Sequence, residues 1–156
     1  MKIEHSIQLT AERDVVWDWV TTIERVAECI PGVENMKVIE INKHYSALAT
    51  DRVGPFKVSF PMELSLEEAK FPLMKIKAWG QDKITKTHVQ LELFVEVNKN
   101  ESEGSDLNLK VDLQMKGKIA TLGQGMVNRK FTEKVEDFAK NLTAVLEGGQ
   151  QNASAL

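Results

Sequence analysis

IATLGQGMVNRKFTEKVEDFAKNLTAVL, residues 119–146, is the segment that decides the predicted fold. Its apolar side chains recur every three to five residues, at Ile119, Leu122, Met126, Phe131, Val135, Phe138, Leu142 and Val145. This spacing predicts one long helix that is buried along one face. Lys130 and Lys134 form a like-charge pair on the opposite face, so tertiary packing and not surface charge must hold the helix. Gly148-Gly149 predicts the end of the helix, because glycine readily adopts the left-handed conformation found at helix ends.

Before this helix, apolar residues alternate with polar ones, which is the period of strands that bury one face. The predicted strands run over Ile3–Leu9, Val38–Ile41, Tyr45–Val53, Phe56–Glu67, Phe71–Gly80, Val89–Val97 and Leu107–Met115. After the first strand, Thr10 and the pair Thr21 and Glu24 predict the caps of two short helices. Short turns favour antiparallel neighbours. The sequence therefore predicts a two-layer α+β fold, in which a curved antiparallel sheet of about seven strands wraps around the long C-terminal helix.

Length and composition indicate the class of protein. With 156 residues, 42% of them hydrophobic and 28% charged, the chain predicts one soluble domain over residues 1–147 and a disordered tail over 148–156. The net charge is −3 and the charges are interspersed, so no nucleic-acid partner is expected. A single cysteine, Cys29, fits a reducing compartment, and we expect it to be buried and inert. Neither a signal peptide nor a membrane-spanning apolar run is found, so a cytoplasmic location is expected.

Three short motifs follow one another along the chain: Ile30-Pro31-Gly32-Val33, Val53-Gly54-Pro55-Phe56 and Lys118-Ile119-Ala120-Thr121-Leu122-Gly123. Together they resemble the pattern of the CoxG family of carbon monoxide dehydrogenase subunits, which belongs to the START-like (SRPBCC) helix-grip superfamily. The resemblance runs from about Ile3 to Leu146. It implies a helix-grip fold with an apolar cavity between sheet and helix. It also implies association with a molybdenum hydroxylase of the carbon monoxide dehydrogenase type, as an accessory protein and not as a catalytic subunit.

The same resemblance bears on location. Members of the family often carry a carboxy-terminal extension with a membrane-anchoring segment, and this sequence contains no such segment. We therefore do not expect direct anchoring, and peripheral association with the inner face of the membrane is the alternative to a free cytoplasmic protein. The sequence does not indicate an oligomeric state.

Two features of the residues themselves favour a cavity. Ala47, Ala49 and Ala78 are small residues on inward-facing positions, and aromatic residues make up only 6% of the chain, so the concave sheet is not expected to be filled. Gly123 and Gly125 weaken the start of the predicted helix, which indicates either close approach of a strand or a soft lid over an opening. The alternative is an ordinary filled core, in which these glycines are packing compromises.

The residues expected to line the cavity are apolar and inward-facing on the strands and the long helix. They are Phe56, Val58, Phe60, Met62, Met74, Ile76, Ala78, Leu91, Leu93, Val95, Leu109, Val111, Leu113, Leu122, Met126, Phe131 and Val135. Such a cavity would take a hydrophobic, lipid-like or quinone-like molecule, held mainly by apolar enclosure at roughly 25 cal/mol per Å² buried. Its methionines would give it adaptable walls.

No catalytic residues, metal ligands or cofactors are predicted. His5, His44 and His88 have no partner at a recognised metal-ligand spacing. His5 shares the apolar side of the first strand, where a histidine is usually part of the core. Gly123-Gln124-Gly125 lacks the strand and the third glycine of a dinucleotide-binding loop.

Charged residues near the expected cavity have two interpretations each. Asp51 could enter the cavity and orient a polar head group, or it could be an ordinary strand-end charge. Asn128 and Arg129 could guard an entrance, or they could lie on a solvated helix face.

Three function classes therefore remain. The first, which the sequence favours, is a non-enzymatic carrier or accessory protein that binds a hydrophobic small molecule. The second is a small START-like enzyme, a cyclase or hydrolase, with an inward acid or base. The third is a structural adaptor with a filled core.

Overall fold

The computed structural model describes the backbone of residues 1–155 and the side chains of residues 1–147. Its elements are, in chain order, β1 (Lys2–Leu9), α1 (Arg13–Thr21), α2 (Ile23–Glu28), β2 (Val33–Glu40), β3 (His44–Val53), β4 (Phe56–Lys70), β5 (Leu73–Asp82), β6 (Thr87–Lys99), β7 (Ser105–Lys116), a 3-10 turn (Ile119–Leu122) and α3 (Gln124–Ala155). The predicted order of one strand, two short helices, six strands and a long helix is confirmed.

All seven strands form one antiparallel sheet in the order β1-β7-β6-β5-β4-β3-β2. The first strand pairs with the last, with Ile3 opposite Val111 and Leu9 opposite Ser105. The long helix α3 contacts β1 at one side of the sheet and β3 towards the other, so the sheet curves around it without closing. The predicted α+β helix-grip fold is confirmed.

The start of the long helix differs from the prediction. Residues 119–122 form a separate 3-10 turn, and α3 begins only at Gln124. Gly123 lies between them with a φ of 99°, in the left-handed region, which interrupts the helix. An added Cβ at Gly123 or Gly125 would meet no atom within 4 Å, so the predicted approach of a strand to these glycines is wrong.

The end of the long helix also differs. The backbone of α3 continues through Gly148 and Gly149 to Ala155, so the predicted stop at these glycines is wrong. The disordered tail over residues 148–156 stays a prediction.

The buried face of α3 is shifted from the predicted stripe. Met126 and Val145 are exposed, and the buried positions are Val127, Ala139, Leu142 and Leu146. The predicted stripe was counted from Ile119 across Gly123, where the helix is broken, so its first members do not share a face with the rest. Only the middle of the stripe points inward.

The predicted helix caps are wrong as well. No side-chain hydrogen bond caps α1 or α2, whose N-cap residues are Glu12 and Thr22. The backbone N–H of Thr10 instead donates to the Glu147 carboxylate at 2.7 Å, which ties the β1–α1 connection to α3. Cys29 at the end of α2 is buried as expected, and burial, with Glu28 beside it, raises the pKa of its thiol.

The hydrophobic core is divided in two. The helical core packs α1 and α2 against the later turns of α3 through Val16, Val20, Ile23, Leu142 and Leu146, among others. The loop-end core packs the 3-10 turn and the first turns of α3 against the sheet through Val53, Val58, Leu113, Ile119 and Val127, among others. Apolar residues between the two cores are only half-buried, including Met62, Leu91, Leu93, Phe131 and Val135. These side chains face the space described next.

Candidate functional site

A cavity of about 340 Å³ lies between the sheet and α3. Its lining comes from α1, α2, strands β2 to β7, the 3-10 turn and α3, and it includes members of both cores. Four polar residues line it: Thr50, Asp51, Lys130 and Lys134. The volume falls in the range of about 300–1,000 Å³ that is usual for ligand pockets.

Most of the residues predicted to line a cavity do so. Val58, Phe60, Met62, Met74, Ile76, Ala78, Leu91, Leu93, Val95, Leu109, Val111, Leu113, Phe131 and Val135 are among the lining residues. The small inward residues Ala47 and Ala49 line it too. That these residues bind a ligand stays a prediction.

Phe56, Leu122 and Met126 do not line the cavity, so their predicted placement is wrong. They lie beyond it, where the β3–β4 turn meets the 3-10 turn. A Cβ at Gly54 would stand 3.2 Å from the Met126 sulfur and 3.5 Å from a Leu122 methyl group. The Lys118 ammonium lies 5.0 Å from the centre of the Phe56 ring. The second and third motifs of the sequence therefore pack against each other and seal one end of the sheet.

The contribution of the short helices was not predicted from the sequence. Val20, Ile23, Val26 and Ala27 of α1 and α2 cover one end of the cavity, and Met36 of β2 lines it as well. The apolar spacing of α1 and α2 was a sufficient signal for burial. It did not reveal which part of the sheet these helices cover.

The polar lining residues Asp51, Lys130 and Lys134 form a cluster that we call the mouth cluster. Asp51 Oδ1 lies 3.2 Å from Lys130 Nζ, and its Oδ2 lies 3.2 Å from Lys134 Nζ. Their side chains are 25–34% exposed. Because they line the cavity and also contact solvent, the cavity reaches the surface between β3 and α3.

The electrostatics of the mouth cluster favour an ionised carboxylate. Burial raises the pKa of Asp51, but the backbone N–H of Arg52 and the ammonium groups of Lys130 and Lys134 outweigh that effect. The pKa of Asp51 therefore lies below its ordinary value. With one carboxylate and two ammonium groups, the cluster carries a net positive charge at neutral pH.

The first motif forms the rim next to this cluster. Lys134 Nζ donates to the Pro31 carbonyl at 3.0 Å, and the Thr50 N–H donates to the Gly32 carbonyl at 2.8 Å. Gly32 has a φ of 86°, and a Cβ there would collide with the Thr50 carbonyl oxygen. Only glycine fits this close approach, which places residues 30–33 in the cavity lining.

Asn128 and Arg129 are exposed and do not line the cavity, so the solvated-face interpretation holds for them. The residues at the mouth are Lys130 and Lys134, which were predicted to lie on the outer face of the helix. Their signal was the like-charge pair at i, i+4, which is unfavourable unless an anion lies between the two. The inward interpretation of Asp51 is supported, since it supplies that anion.

The histidines lie elsewhere. His5 is half-buried opposite Leu109 and is absent from the cavity lining, while His88 is exposed. His44 Nε2 lies 3.8 Å from Glu63, and its ring meets the Trp79 ring edge-on. In the described part of the chain, no group of three His, Cys, Asp or Glu side chains could hold a metal ion. None of the described helices combines the length and the apolar composition needed to cross a membrane.

Solved structures share this architecture at low sequence identity. A conserved protein from Geobacillus kaustophilus matches with a TM-score of 0.84 and 19% identity, over 95% of this chain and 96% of that one. A START superfamily protein from Mycobacterium smegmatis matches with a TM-score of 0.69 and 12% identity, over 94% and 97%. An aromatase/cyclase from Streptomyces matches with a TM-score of 0.63 and 12% identity, over 93% and 94%. These likenesses show the fold alone.

Sequence comparison gives the family. No protein of curated function matches the chain. The family model for the carbon monoxide dehydrogenase component CoxG matches residues 6–147, which is nearly the whole described domain. The chain therefore belongs to the CoxG family of carbon monoxide dehydrogenase subunits, and its fold is that of the START-like superfamily.

Proposed function

We propose that the protein is a non-enzymatic carrier that holds a hydrophobic, lipid-like or quinone-like molecule in the cavity between the sheet and α3. The observation that carries this proposal is a space of about 340 Å³ whose lining is apolar everywhere except beside the mouth cluster. A ligand that buries about 300 Å² of apolar surface gains about 7 kcal/mol at about 25 cal/mol per Å². That gain is opposed by the loss of translational and rotational freedom.

The mouth cluster supplies the polar end of the site. Lys130 and Lys134 present ammonium groups where the cavity meets solvent, and one carboxylate does not neutralise both. Ammonium groups donate hydrogen bonds to carbonyl or carboxylate oxygens. An amphipathic molecule with its apolar part in the cavity and an oxygen-bearing head at the mouth fits this arrangement.

The family description supports a role beside an enzyme. We propose that the protein serves a carbon monoxide dehydrogenase-type molybdenum hydroxylase as an accessory protein, in the cytoplasm or at the inner face of the membrane. The molybdenum chemistry belongs to the partner enzyme. This protein would supply a hydrophobic molecule to it or remove one from it.

A START-like enzyme is the second candidate, and the aromatase/cyclase among the structural neighbours is the reason to consider it. Such an enzyme needs an acid or base that faces the cavity. Asp51 is the only carboxyl group in the described lining, and no histidine belongs to it. Because two lysines hold Asp51 ionised, it is a poor proton donor at neutral pH. The carrier is therefore favoured over the enzyme, and the open space argues against an adaptor with a filled core.

The test is to purify the protein without detergent, extract it with organic solvent and identify bound molecules by mass spectrometry. We expect an isoprenoid or acyl compound in a near-equimolar amount. A parallel preparation of the Ala78→Phe variant, whose new ring occupies the cavity, controls for compounds that adhere to the surface. A wild-type extract that contains no such compound, or equal amounts from both preparations, would contradict the carrier proposal.

Association with a partner is tested separately. We expect the tagged protein to retain a molybdenum hydroxylase when both are produced together. Failure to retain it would refute the accessory role and leave the ligand-binding proposal standing.

A further inference from the structure

One end of the sheet gathers positive charge. The β3–β4 turn, the β5–β6 turn and the connection from β7 to α3 meet there, since Gly117 lies against the Lys86 backbone and Gly54 lies against Met126. Segments 52–57, 83–88 and 113–132 hold eight of the chain's 20 Lys and Arg residues and none of its 23 Asp and Glu residues. We call these three segments the basic end. The net charge of −3 therefore conceals a molecule that is positive at one end and acidic elsewhere.

The charges of the basic end are available to a partner. Seven of its side chains are exposed: Arg52, Lys57, Lys83, Lys86, Lys116, Lys118 and Arg129. Within the described residues, no carboxylate forms an ion pair with any of these seven. The two nearest carboxylates along the chain are already engaged. Asp51 belongs to the mouth cluster, and buried Asp82 accepts hydrogen bonds from the Ile84 N–H and the Thr85 hydroxyl.

An apolar side chain projects from the same end. Ile84 is 88% exposed between Lys83 and Lys86, the most exposed of the large hydrophobic residues in the described chain. The turn that carries it is fixed, because Asp82 holds the Ile84 N–H at 3.3 Å and the Thr85 hydroxyl at 2.7 Å. Ile84 is thus held in water by a rigid turn, where it gains nothing from burial within the chain.

We propose that the basic end docks on a bilayer surface that contains anionic phospholipids, with Ile84 entering the boundary between head groups and acyl chains. Lysine and arginine are attracted to the negative surface, and an apolar residue flanked by lysines suits the interface. A nucleic acid is less well matched, because single-stranded readers present aromatic faces for stacking. The Phe56 ring of the basic end is covered by Lys118.

This docking would set the orientation of the cavity. Lys130 belongs both to the basic end and to the mouth cluster, so the mouth lies next to the docked surface. The inference goes beyond the proposed ligand binding and does not depend on it, since vesicle binding is measured whether or not the cavity is occupied.

Co-sedimentation of the full chain with vesicles tests the proposal. We expect binding to phosphatidylcholine vesicles that contain phosphatidylglycerol, weaker binding at raised salt, and little binding to phosphatidylcholine alone. Each lysine near an anionic surface contributes about fivefold to the partition coefficient. Lys83→Glu with Lys86→Glu should therefore lower it by at least about 25-fold. Lys70→Glu with Lys99→Glu is the matched control, because these exposed lysines lie at the opposite end of the sheet.

A second pair of variants isolates the apolar contact. Ile84→Ser should lower the partition coefficient by about tenfold. Ile41→Ser, an equally simple change at an exposed residue of the opposite end, should leave it unchanged. If the charge reversal at the β5–β6 turn unfolds the protein, Lys57→Glu with Lys116→Glu replaces it. Thermal melting checks the folding of each variant.

Four outcomes would overturn the proposal. They are no binding to anionic vesicles at low salt, unchanged binding in folded variants of the basic end, equal loss in the control variants, or tighter binding of an RNA oligonucleotide than of the vesicles.

Discussion

Replacing Ala78 with phenylalanine asks whether the space between sheet and helix is empty. Ala78 lies on β5 opposite Leu64 of β4 and Leu91 of β6, and it lines the cavity. An apolar cavity of about 150 Å³ holds a benzene molecule. The cavity here is about 340 Å³, so the added ring fits without displacing the backbone.

The sign of the stability change separates a hollow core from a filled one. A phenylalanine side chain that is fully buried in empty apolar space contributes about 1.5–3 kcal/mol. The same insertion into a well-packed core costs about 1–3 kcal/mol, because side chains leave their rotamers and the backbone shifts. We expect the free energy of unfolding of ligand-stripped Ala78→Phe to equal that of the wild type or to exceed it by up to about 2 kcal/mol.

The assay is urea unfolding followed by the fluorescence of Trp17 and Trp19, which pack against the helical core. Ala69→Phe is the control, because Ala69 is exposed and is absent from the cavity lining. A loss of about 1–3 kcal/mol in Ala78→Phe, with Ala69→Phe unchanged, would refute the reasoning and show a filled core.

Three further predictions concern the mouth, its rim and the long helix. Asp51→Asn leaves two ammonium groups without their carboxylate, so the free energy of unfolding at neutral pH should fall by about 1–2 kcal/mol. Because the folded-state pKa of Asp51 is lowered, its contribution is present above the unfolded-state pKa and is lost as the pH falls through the folded one. Urea unfolding from acid to neutral pH should therefore show a weaker dependence below about pH 4 in Asp51→Asn, and identical profiles would contradict the role of the mouth cluster. Gly32→Ala places a methyl group against the Thr50 carbonyl at a positive φ, so the thermal midpoint should fall, and an unchanged midpoint would refute the close approach. Gly125→Ala adds a methyl group in open space inside α3 and should raise stability by about 0.5–1 kcal/mol, whereas a decrease would mean that this glycine has a packing role.

The sheet was predictable because its signal is local. Strict alternation, as from Phe56 to Leu66, assigns each side chain to one face without knowledge of its partners. The lining residues on β4 to β7 followed from that parity. The long helix was predicted less well, because apolar spacing does not record the left-handed conformation of Gly123 that separates it from the 3-10 turn.

The mouth cluster could not be predicted because its members are remote in sequence. Lys130 and Lys134 stand among charged neighbours on α3, and the carboxylate between them comes from β3. For the same reason the basic end was missed. Its charges look interspersed along the chain, and only the antiparallel topology brings their turns to one end.

The central claim is that the cavity accepts a hydrophobic guest, and calorimetric titration of the ligand-stripped protein tests it most directly. The titrant is a short-chain quinone or, in a second experiment, a medium-chain fatty acid. The account predicts equimolar binding with a negative heat-capacity change, the mark of apolar burial. It also predicts loss of binding in Ala78→Phe and retention in Ala69→Phe. No binding of either titrant to the wild type, or equal binding to Ala78→Phe, would contradict the account.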